Sequence, residues 1–203
     1  MPEHDWQAHY AGGTPPWETG QPSQELARVL VERAIAPCRV IELGCGSGIN
    51  ALWLAQQGFD VTAVDFTPLA IESARQRCAA AGVQIRFVLA DVLNLAEDFE
   101  PFPFFFDRGC YHCVRTENVE AYVRTLRKVT RPGSLGLILA GNAREPSPPG
   151  QGPPVVSAEQ IHAELTPAFE ILALREFRFD GADESVAGPL AWSCLVRRNA
   201  DAG

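Results

Sequence analysis

Three glycines at alternate positions follow a short apolar run in IELGCGSGIN, residues 41–50. Glycine has no Cβ, so a glycine-rich turn between a strand and a helix lets a ligand approach the backbone closely. Read from Gly44, the turn is GCGSGI, and Ile49 stands where the dinucleotide fingerprint GxGxxG has its third glycine. The spacing therefore indicates a nucleotide-like ligand, and Ile49 argues against a dinucleotide.

Two acidic residues stand at the ends of later apolar runs, and their chemistry suits a nucleoside. Asp65 ends DVTAVD, and Asp91 ends IRFVLAD. A carboxylate can accept hydrogen bonds from both hydroxyls of a ribose, and the carboxyl ends of neighbouring parallel strands open on one crevice. We expect both residues beside the glycine turn, the alternative being that they are solvated residues at strand ends.

Short β-branched runs alternate with longer helical patterns, which is typical of an α/β protein with a doubly wound, mostly parallel sheet. The pattern ends in two strands joined by a Gly/Asp-containing loop, and no repeat or linker divides the chain, so residues 1–203 are predicted to form one domain. Strands are predicted at 39–43, 60–65, 85–91, 104–112 with an exit loop, 134–142, 169–179 and 190–198. Helices are predicted at 49–58, 67–82, 118–133 and 157–165.

The proline-rich run 144–157 is unsuited to a β-strand or a helix, because proline lacks the backbone N–H that their hydrogen bonds need. It is predicted to be a surface loop after strand five. Such a loop either closes the acceptor side of the site or is an inert connection.

Composition excludes several classes of protein. The 203 residues carry a net charge of −8, which repels phosphate backbones and anionic lipids, so we expect no nucleic-acid partner and no membrane partner. The first ten residues are neither basic nor apolar, and no run approaches the roughly 18 apolar residues of a membrane span, so a cytoplasmic protein is expected.

Six cysteines lie scattered in apolar stretches, which favours reduced thiols. Only CYHC, residues 110–113, has a suggestive spacing. A structural zinc site needs further paired ligands that the sequence lacks. A redox Cys-x-x-Cys normally opens a helix, whereas this one follows a predicted strand, so that interpretation is also disfavoured.

The ordered segments VIELGCGSG, VTAVDF and LADV resemble those of class I S-adenosylmethionine-dependent methyltransferases, over about residues 15–198. The resemblance implies a Rossmann-like, seven-stranded sheet whose last strand is antiparallel. It also implies S-adenosylmethionine as the cofactor and S-adenosylhomocysteine as its product. The implied cofactor contacts are Gly44, Cys45 and Gly46 at the methionine end, Asp65 at the ribose, Phe66 and the Val92 amide at the adenine ring, and Asp91 at the adenine amino group.

Two further segments, GTPPWETGQPSQEL and FDRGCYH, resemble the small-molecule thiol and halide methyltransferases and the related thiopurine and tellurite-resistance enzymes. This resemblance implies that residues 1–24 cover the cofactor. Trp17, with Trp6 and Tyr10 as further candidates, would lie over the donor methyl group. Asp107 and Arg108 would lie at the methionine portion.

Methyl transfer from a sulfonium is an in-line displacement, which requires positioning and exclusion of water more than acid–base groups. Aromatic faces attract the cationic sulfur, so Trp17 and Tyr111 have a candidate catalytic role beside their ordinary role in packing. His112 is the candidate general base, the alternative being a polar residue at a strand end. Cys110 could line the acceptor side, although a small buried hydrophobe is the simpler interpretation.

A thiol or hydrosulfide is partly ionised at neutral pH and needs no strong base. We therefore expect methyl transfer to a small-molecule acceptor, namely a thiol, sulfide, selenide or halide. No metal is expected, because beyond Asp107 and Asn142 the sequence shows no acid and amide cluster of the kind that metal-assisted O-methylation needs.

Three alternatives stay open. The first is N- or O-methylation of a small natural product, the second a dinucleotide-dependent oxidoreductase, and the third a binding protein that holds S-adenosylmethionine without turnover. The sequence leaves the oligomeric state as monomer or homodimer, since a fold does not specify these properties.

Overall fold

The computed structural model describes residues 6–146, 154–181 and 188–200. The helices are α1 (Trp6–Ala11), α2 (Gln24–Glu32), α3 (Ile49–Gln56), α4 (Pro68–Ala80), α5 (Cys110–Val129) and α6 (Ala158–Leu165). The strands are β1 (Arg39–Leu43), β2 (Asp60–Asp65), β3 (Arg86–Leu89), β4 (Phe102–Arg108), β5 (Thr130–Asn142), β6 (Val155–Val156), β7 (Phe169–Arg178) and β8 (Leu190–Arg198).

One sheet organises the fold, with the strand order β3-β2-β1-β4-β5-β8-β7. The first five strands of this path run parallel, and β8 runs antiparallel to both β5 and β7. The doubly wound, mostly parallel sheet and its antiparallel C-terminal pair are thus confirmed.

A short eighth strand, β6, was not predicted. It pairs with β5 at Gly141 and Asn142, beyond Leu139, where β4 has ended. It falls inside the run 144–157 that the sequence predicts to be a loop. Residues 147–153 of that run lie outside the described residues, so the suggested closing role stays a prediction.

The strand order reverses between β1 and β4. The chain winds outward from β1 through β2 to β3 on one side and from β4 to β5 on the other. In open α/β sheets a ligand crevice forms at this reversal, outside the carboxyl ends of the strands. The segments that follow β1, β2 and β4 therefore frame the candidate site.

Hydrophobic clusters cover both faces of the sheet, because side chains alternate along each strand. Phe105 and Ile41 belong to one cluster, whereas Phe104, Phe106 and Val40 belong to the other. Among the residues that the structure describes, no helix is both long and apolar enough to cross a membrane.

The start of α5 differs from the sequence prediction. The sequence places residues 110–112 in an exit loop, whereas α5 begins at Cys110, directly after Gly109 with φ of 87°. The Asp107 carboxylate explains this, because it accepts hydrogen bonds from the free amides of Cys110 at 3.0 Å and Tyr111 at 3.0 Å. The predicted loop was wrong, and CYHC does open a helix.

The sequence predicts that a helix begins at Asn118, and in the structure α5 is kinked at this residue. Asn118 has φ of −158° and ψ of 85° inside α5, and its side chain accepts a hydrogen bond from the Ala121 amide at 2.9 Å. This is the geometry of an N-cap. The first part of α5 thus forms a separate short segment above the carboxyl edge of the sheet.

Gly136 sets how closely β4 and β5 approach, because a Cβ there would lie 1.9 Å from the Phe105 ring. We expect Gly136→Ala to lower the free energy of unfolding by about 1–3 kcal/mol through overpacking. Urea denaturation measures this loss. The loss should shrink in a Phe105→Leu background, and an equal loss in both backgrounds would contradict the assigned clash.

Candidate functional site

The turn after β1 is a backbone cradle that other parts of the chain approach closely. Gly44, Gly46 and Gly48 all have positive φ, at 66°, 55° and 74°. A Cβ on Gly44 would lie 2.6 Å from Cys110 Cβ, and one on Gly46 would lie 2.6 Å from the Tyr10 hydroxyl. Residues with a Cβ rarely adopt this backbone conformation, so both the shape and the space demand glycine.

Asp65 ties the cradle to the end of β2. Its Oδ2 accepts a hydrogen bond from the Gly46 amide at 2.9 Å, and its Oδ1 accepts one from the Thr67 amide at 2.8 Å. Burial raises the pKa of Asp65, while the backbone hydrogen bonds act in the opposite direction. The carboxylate is thus an acceptor at the carboxyl edge of the sheet, the group that a ribose hydroxyl would need.

An apolar ring stands next to Asp65 at the carboxyl edge. The Phe66 side chain is 54% exposed, unusual for its size. The Ala90 amide donates to the Asp65 carbonyl at 3.0 Å, which places Asp91 and the buried Val92 just beyond the same edge. The Asp91 carboxylate accepts a hydrogen bond from the Leu93 amide at 2.8 Å.

Residues 6–23, here called the N-terminal segment, pack against the cradle. Glu18 accepts hydrogen bonds from the Tyr10 hydroxyl at 3.1 Å and from the Ser47 amide at 3.0 Å. Trp17 lies edge-on to both Trp6, at 5.2 Å between ring centroids, and Tyr10, at 6.3 Å. The segment that the resemblance assigns to covering the cofactor therefore lies on the glycine turn.

Arg108 joins three elements at the end of β4. Its Nη1 donates to the Trp17 carbonyl at 3.2 Å, and its guanidinium carbon lies 5.0 Å from the centroid of the Phe179 ring. Burial lowers the pKa of Arg108, while the charges of Asp180, Glu42 and Glu18 raise it. A guanidinium stays charged at neutral pH, so a cation lies among these acids.

Glu42 is a buried carboxyl with an unused oxygen. It lies on β1, is 2% exposed, and its Oε2 has no hydrogen-bond partner among the described residues. Burial raises its pKa to about 8, although a hydrogen bond with Asn50 acts in the opposite direction. Such an orphaned oxygen is costly unless a donor is bound beside it. This oxygen can accept a hydrogen bond from a donor group of a ligand bound beside the turn.

Comparison with known proteins finds similarity to methyltransferases. Residues 40–133 match the family model of a methyltransferase domain. A 2-heptyl-1-hydroxyquinolin-4(1H)-one methyltransferase of Mycobacteroides abscessus is 29% identical over 148 residues, 72% of this chain and 65% of the relative. A probable S-adenosyl-L-methionine-dependent methyltransferase, TehB of Haemophilus influenzae, is 28% identical over 116 residues, 57% of this chain and 40% of the relative.

The chain is therefore similar to S-adenosylmethionine-dependent methyltransferases. This confirms the resemblance to class I methyltransferases, although the chain spans less than two thirds of the length of these relatives.

Solved structures agree with the family. The structure reported as "Conversion of a Disulfide Bond into a Thioacetal Group during Echinomycin Biosynthesis" superposes with a TM-score of 0.78 and 28% identity, over 93% of this chain and 87% of that one. The TehB structure from Haemophilus influenzae has a TM-score of 0.67 at 21% identity, over 86% of this chain and 61% of that one, and shows a shared fold.

His112 has neither the free nitrogen nor the pKa that a general base needs. The ring is 4% exposed, and its Nδ1 accepts a hydrogen bond from the Gly141 amide at 2.8 Å. Burial, with the charge of Arg108, lowers its pKa to about 3. In the neutral ring the proton is then on Nε2, so neither nitrogen is free to accept one. The structure argues against the predicted base and gives His112 a role in joining α5 to β5.

Tyr111 is also turned away from the crevice. Its side chain is fully buried, and its hydroxyl donates to Glu164 Oε2 at 2.6 Å. Glu164 in turn pairs with Arg115. The contact of the Tyr111 ring with a donor sulfur stays a prediction, and in the structure the residue joins α5 to α6.

Asp107 likewise acts within the protein. It is fully buried, and besides the two α5 amides it accepts a hydrogen bond from the Tyr122 hydroxyl at 2.7 Å. Burial raises its pKa to about 7. Asp107 shapes the site by fixing α5, and both of its oxygens are engaged by the chain itself.

The two thiols of CYHC are protonated at neutral pH. Burial raises the pKa of Cys113 to about 12, with the charge of Asp107 as the second cause, and raises the pKa of Cys110 and of Cys45 well above the ordinary value. A protonated thiol is a weak nucleophile. Although CYHC opens a helix, its electrostatics do not suit a redox pair.

Sequence reasoning missed four polar residues of the site: Glu18, Glu42, Ser47 and Arg77. An acidic residue inside the apolar run VIEL was a usable signal for Glu42. No local pattern could have paired Glu18 with Ser47, because 29 positions separate them, α2 and β1 lie between, and only tertiary folding joins them.

We expect Glu42→Gln to remove one component of the pH dependence of stability. The pKa of Glu42 is about 8 in the folded state, so the carboxyl keeps its proton up to that pH, whereas the unfolded chain releases it near the ordinary pKa of 4.5. Wild-type unfolding free energy should therefore fall relative to the variant as pH rises through this window, by up to about 1.4 kcal/mol per pH unit.

Urea titrations at several pH values measure this difference. Glu117→Gln, at an exposed position of α5, is the matched control and should leave the pH dependence unchanged. Parallel pH curves for wild type and Glu42→Gln would show that Glu42 titrates normally.

Proposed function

We propose that the protein transfers the methyl group of S-adenosylmethionine to a small-molecule nucleophile, with a thiol or another soft nucleophile as the favoured acceptor. The observation that carries the proposal is the combination of the glycine cradle with the orphaned Glu42 oxygen at the strand-order reversal. When bound, S-adenosylmethionine supplies an activated methyl group on a cationic sulfur.

The chain's own residues suit the parts of this cofactor. Gly44 and Gly46 give the turn the left-handed backbone that would carry the methionine end, and Glu42 would accept a hydrogen bond from its ammonium. Asp65 accepts the ribose hydroxyls, and the exposed ring of Phe66 packs on the adenine. The acids around Arg108 favour a cationic ligand over an anionic one.

The state of His112 favours an acceptor that ionises without help. An amine or hydroxyl acceptor needs a base, and the one histidine of this part of the site has both nitrogens engaged or protonated. A thiol is partly ionised near neutral pH. The similarity to a protein whose structure concerns conversion of a disulfide into a thioacetal, chemistry at sulfur, supports the same choice.

Methylation of a small heteroaromatic hydroxyl or nitrogen is the second candidate. It is favoured by the similarity to a hydroxyquinolone methyltransferase. Radiolabelled S-adenosylmethionine offered with a panel of thiols and hydroxyquinolones separates the two candidates. Labelling of hydroxyquinolones alone would overturn the thiol assignment.

Asp65→Ala is expected to weaken binding of S-adenosylhomocysteine by about 10- to 100-fold, because hydrogen bonds to a carboxylate are worth about 1.5–3 kcal/mol. Isothermal titration calorimetry measures this. Asp60→Ala, at the exposed opposite end of β2, is the matched control and should bind as wild type does. Undiminished affinity in Asp65→Ala would refute the placement of the ribose.

The pH dependence of kcat/KM should follow the acceptor. For thiols of different pKa, we expect the midpoint of the rising limb to move with the thiol, because the acceptor supplies its own anion. His112→Asn should lower the rate by less than about tenfold, against the 10²- to 10⁴-fold expected on removal of a general base. A midpoint common to all thiols would reveal an enzyme base.

A further inference from the structure

We propose that Glu18 is a latch that fastens the N-terminal segment over the glycine cradle and thereby sets how fast the cofactor and its product exchange. The exchange part of this inference rests on the proposed function. The fastening part concerns the protein alone, so the two can be tested separately.

Glu18 is suited to this role by its position in the sequence. It is the only Asp, Glu, Lys or Arg residue in the segment 6–23. Gly13 and Gly20, on either side of it, have φ of 118° and 76°, and a Cβ at either would meet nothing within 4 Å. Two glycines in open space allow the stretch between them to move as a unit.

The contacts of Glu18 converge on one residue of the cradle. Its Oε1 accepts the Ser47 amide at 3.0 Å, and its Oε2 accepts the Ser47 hydroxyl. Ser47 is 4% exposed, so these hydrogen bonds to a carboxylate are shielded from water. Glu18 also accepts the Tyr10 hydroxyl, which ties α1 to the same point.

Arg77 holds Ser47 from the opposite side. It reaches from α4 and donates to the Ser47 carbonyl at 3.0 Å and to the Ser47 hydroxyl at 3.1 Å. Ser47 is thereby fixed between a carboxylate of the N-terminal segment and a guanidinium of the core. The latch is therefore anchored to the body of the fold.

Three other hydrogen bonds of the segment each use a neutral acceptor. Gln7 accepts the Leu69 amide at 3.5 Å, and Arg108 donates to the Trp17 carbonyl at 3.2 Å. At the far end of the segment, the Ser23 amide donates to Asn50 at 2.9 Å. Release of Glu18 would loosen the stretch before Ser23 where it meets the glycine cradle.

The latch closes across the place where the proposed function puts the methionine end of the cofactor. A Cβ on Gly46 would lie 3.1 Å from Glu18 Oε1, so the carboxylate lies directly over the turn. A ligand held in the cradle cannot leave past Glu18 while the latch is closed. Opening of the latch would therefore precede each exchange of product for donor.

Hydrogen exchange of the ligand-free protein tests the fastening. We expect Glu18→Gln to speed exchange of the Ser47 amide and of peptides within residues 6–22 by roughly tenfold, because a charged acceptor is lost. Peptides from β4 and β5 should exchange as in wild type. Glu117→Gln is the matched control. Unchanged exchange in residues 6–22 would overturn the latch.

Stopped-flow tryptophan fluorescence tests the exchange of S-adenosylhomocysteine. Glu18→Gln should raise its dissociation rate about tenfold, whereas Ser47→Ala should raise it less, because the amide of residue 47 still donates to Glu18. The double variant should release it no faster than Glu18→Gln, because both changes weaken one contact. Glu18→Asp should behave like Glu18→Gln, since its side chain is one methylene too short. Independent, multiplying effects of the two single changes would overturn the coupling.

The two ideas fail differently. If the wild-type protein binds no S-adenosylhomocysteine, the proposed function is refuted and hydrogen exchange alone decides whether the segment is fastened. If wild type binds it and the Glu18 variants release it at the wild-type rate, the latch is refuted and the proposed function stands.

Discussion

The close approach of other elements to the turn after β1 is the constraint on which the rest of the site depends. Gly44, Gly46 and Gly48, at alternate positions of the turn, all have left-handed backbone angles. In the space that three Cβ atoms would fill lie Cys110 of α5, Tyr10 of the N-terminal segment and Ala74 of α4. One turn thus brings together parts of the chain that are far apart in sequence, and it does so by presenting backbone where most residues present side chains.

Buried carboxyls surround that turn, and each is treated differently by the fold. Asp65 and Asp107 are balanced by amide donors of the turn and of α5. Glu42 keeps one oxygen without a partner. Burial raises the pKa of all three. Because burying an unpaired charge is costly, the free protein favours a protonated Glu42, whereas a bound donor group would favour its ionised form.

The chemistry that the site can support follows from what its side chains are already doing. In the sequence His112 and Tyr111 are candidate reactive groups. In the structure the His112 ring binds the Gly141 amide and the Tyr111 hydroxyl binds Glu164, and both contacts hold α5 in place. A methyl transfer depends more on alignment of the nucleophile with the methyl group and on exclusion of water than on proton transfer. The candidate reactive side chains of this site hold α5 in place. This is consistent with the proposed acceptor, a thiol that ionises without help from an enzyme base.

The sequence by itself determined the parallel sheet, its antiparallel C-terminal pair, most element boundaries and the glycine turn with its acidic neighbour, because periodicity, capping residues and missing Cβ atoms act locally. Only the tertiary structure decided that α5 starts at Cys110, that Asp107 caps it, and that Glu18 meets Ser47. Those features depend on which side chains become buried together, and burial decides whether a histidine stays neutral, a thiol stays protonated or a carboxylate finds its donors. Such environments arise from long-range packing, which no local run of residues encodes.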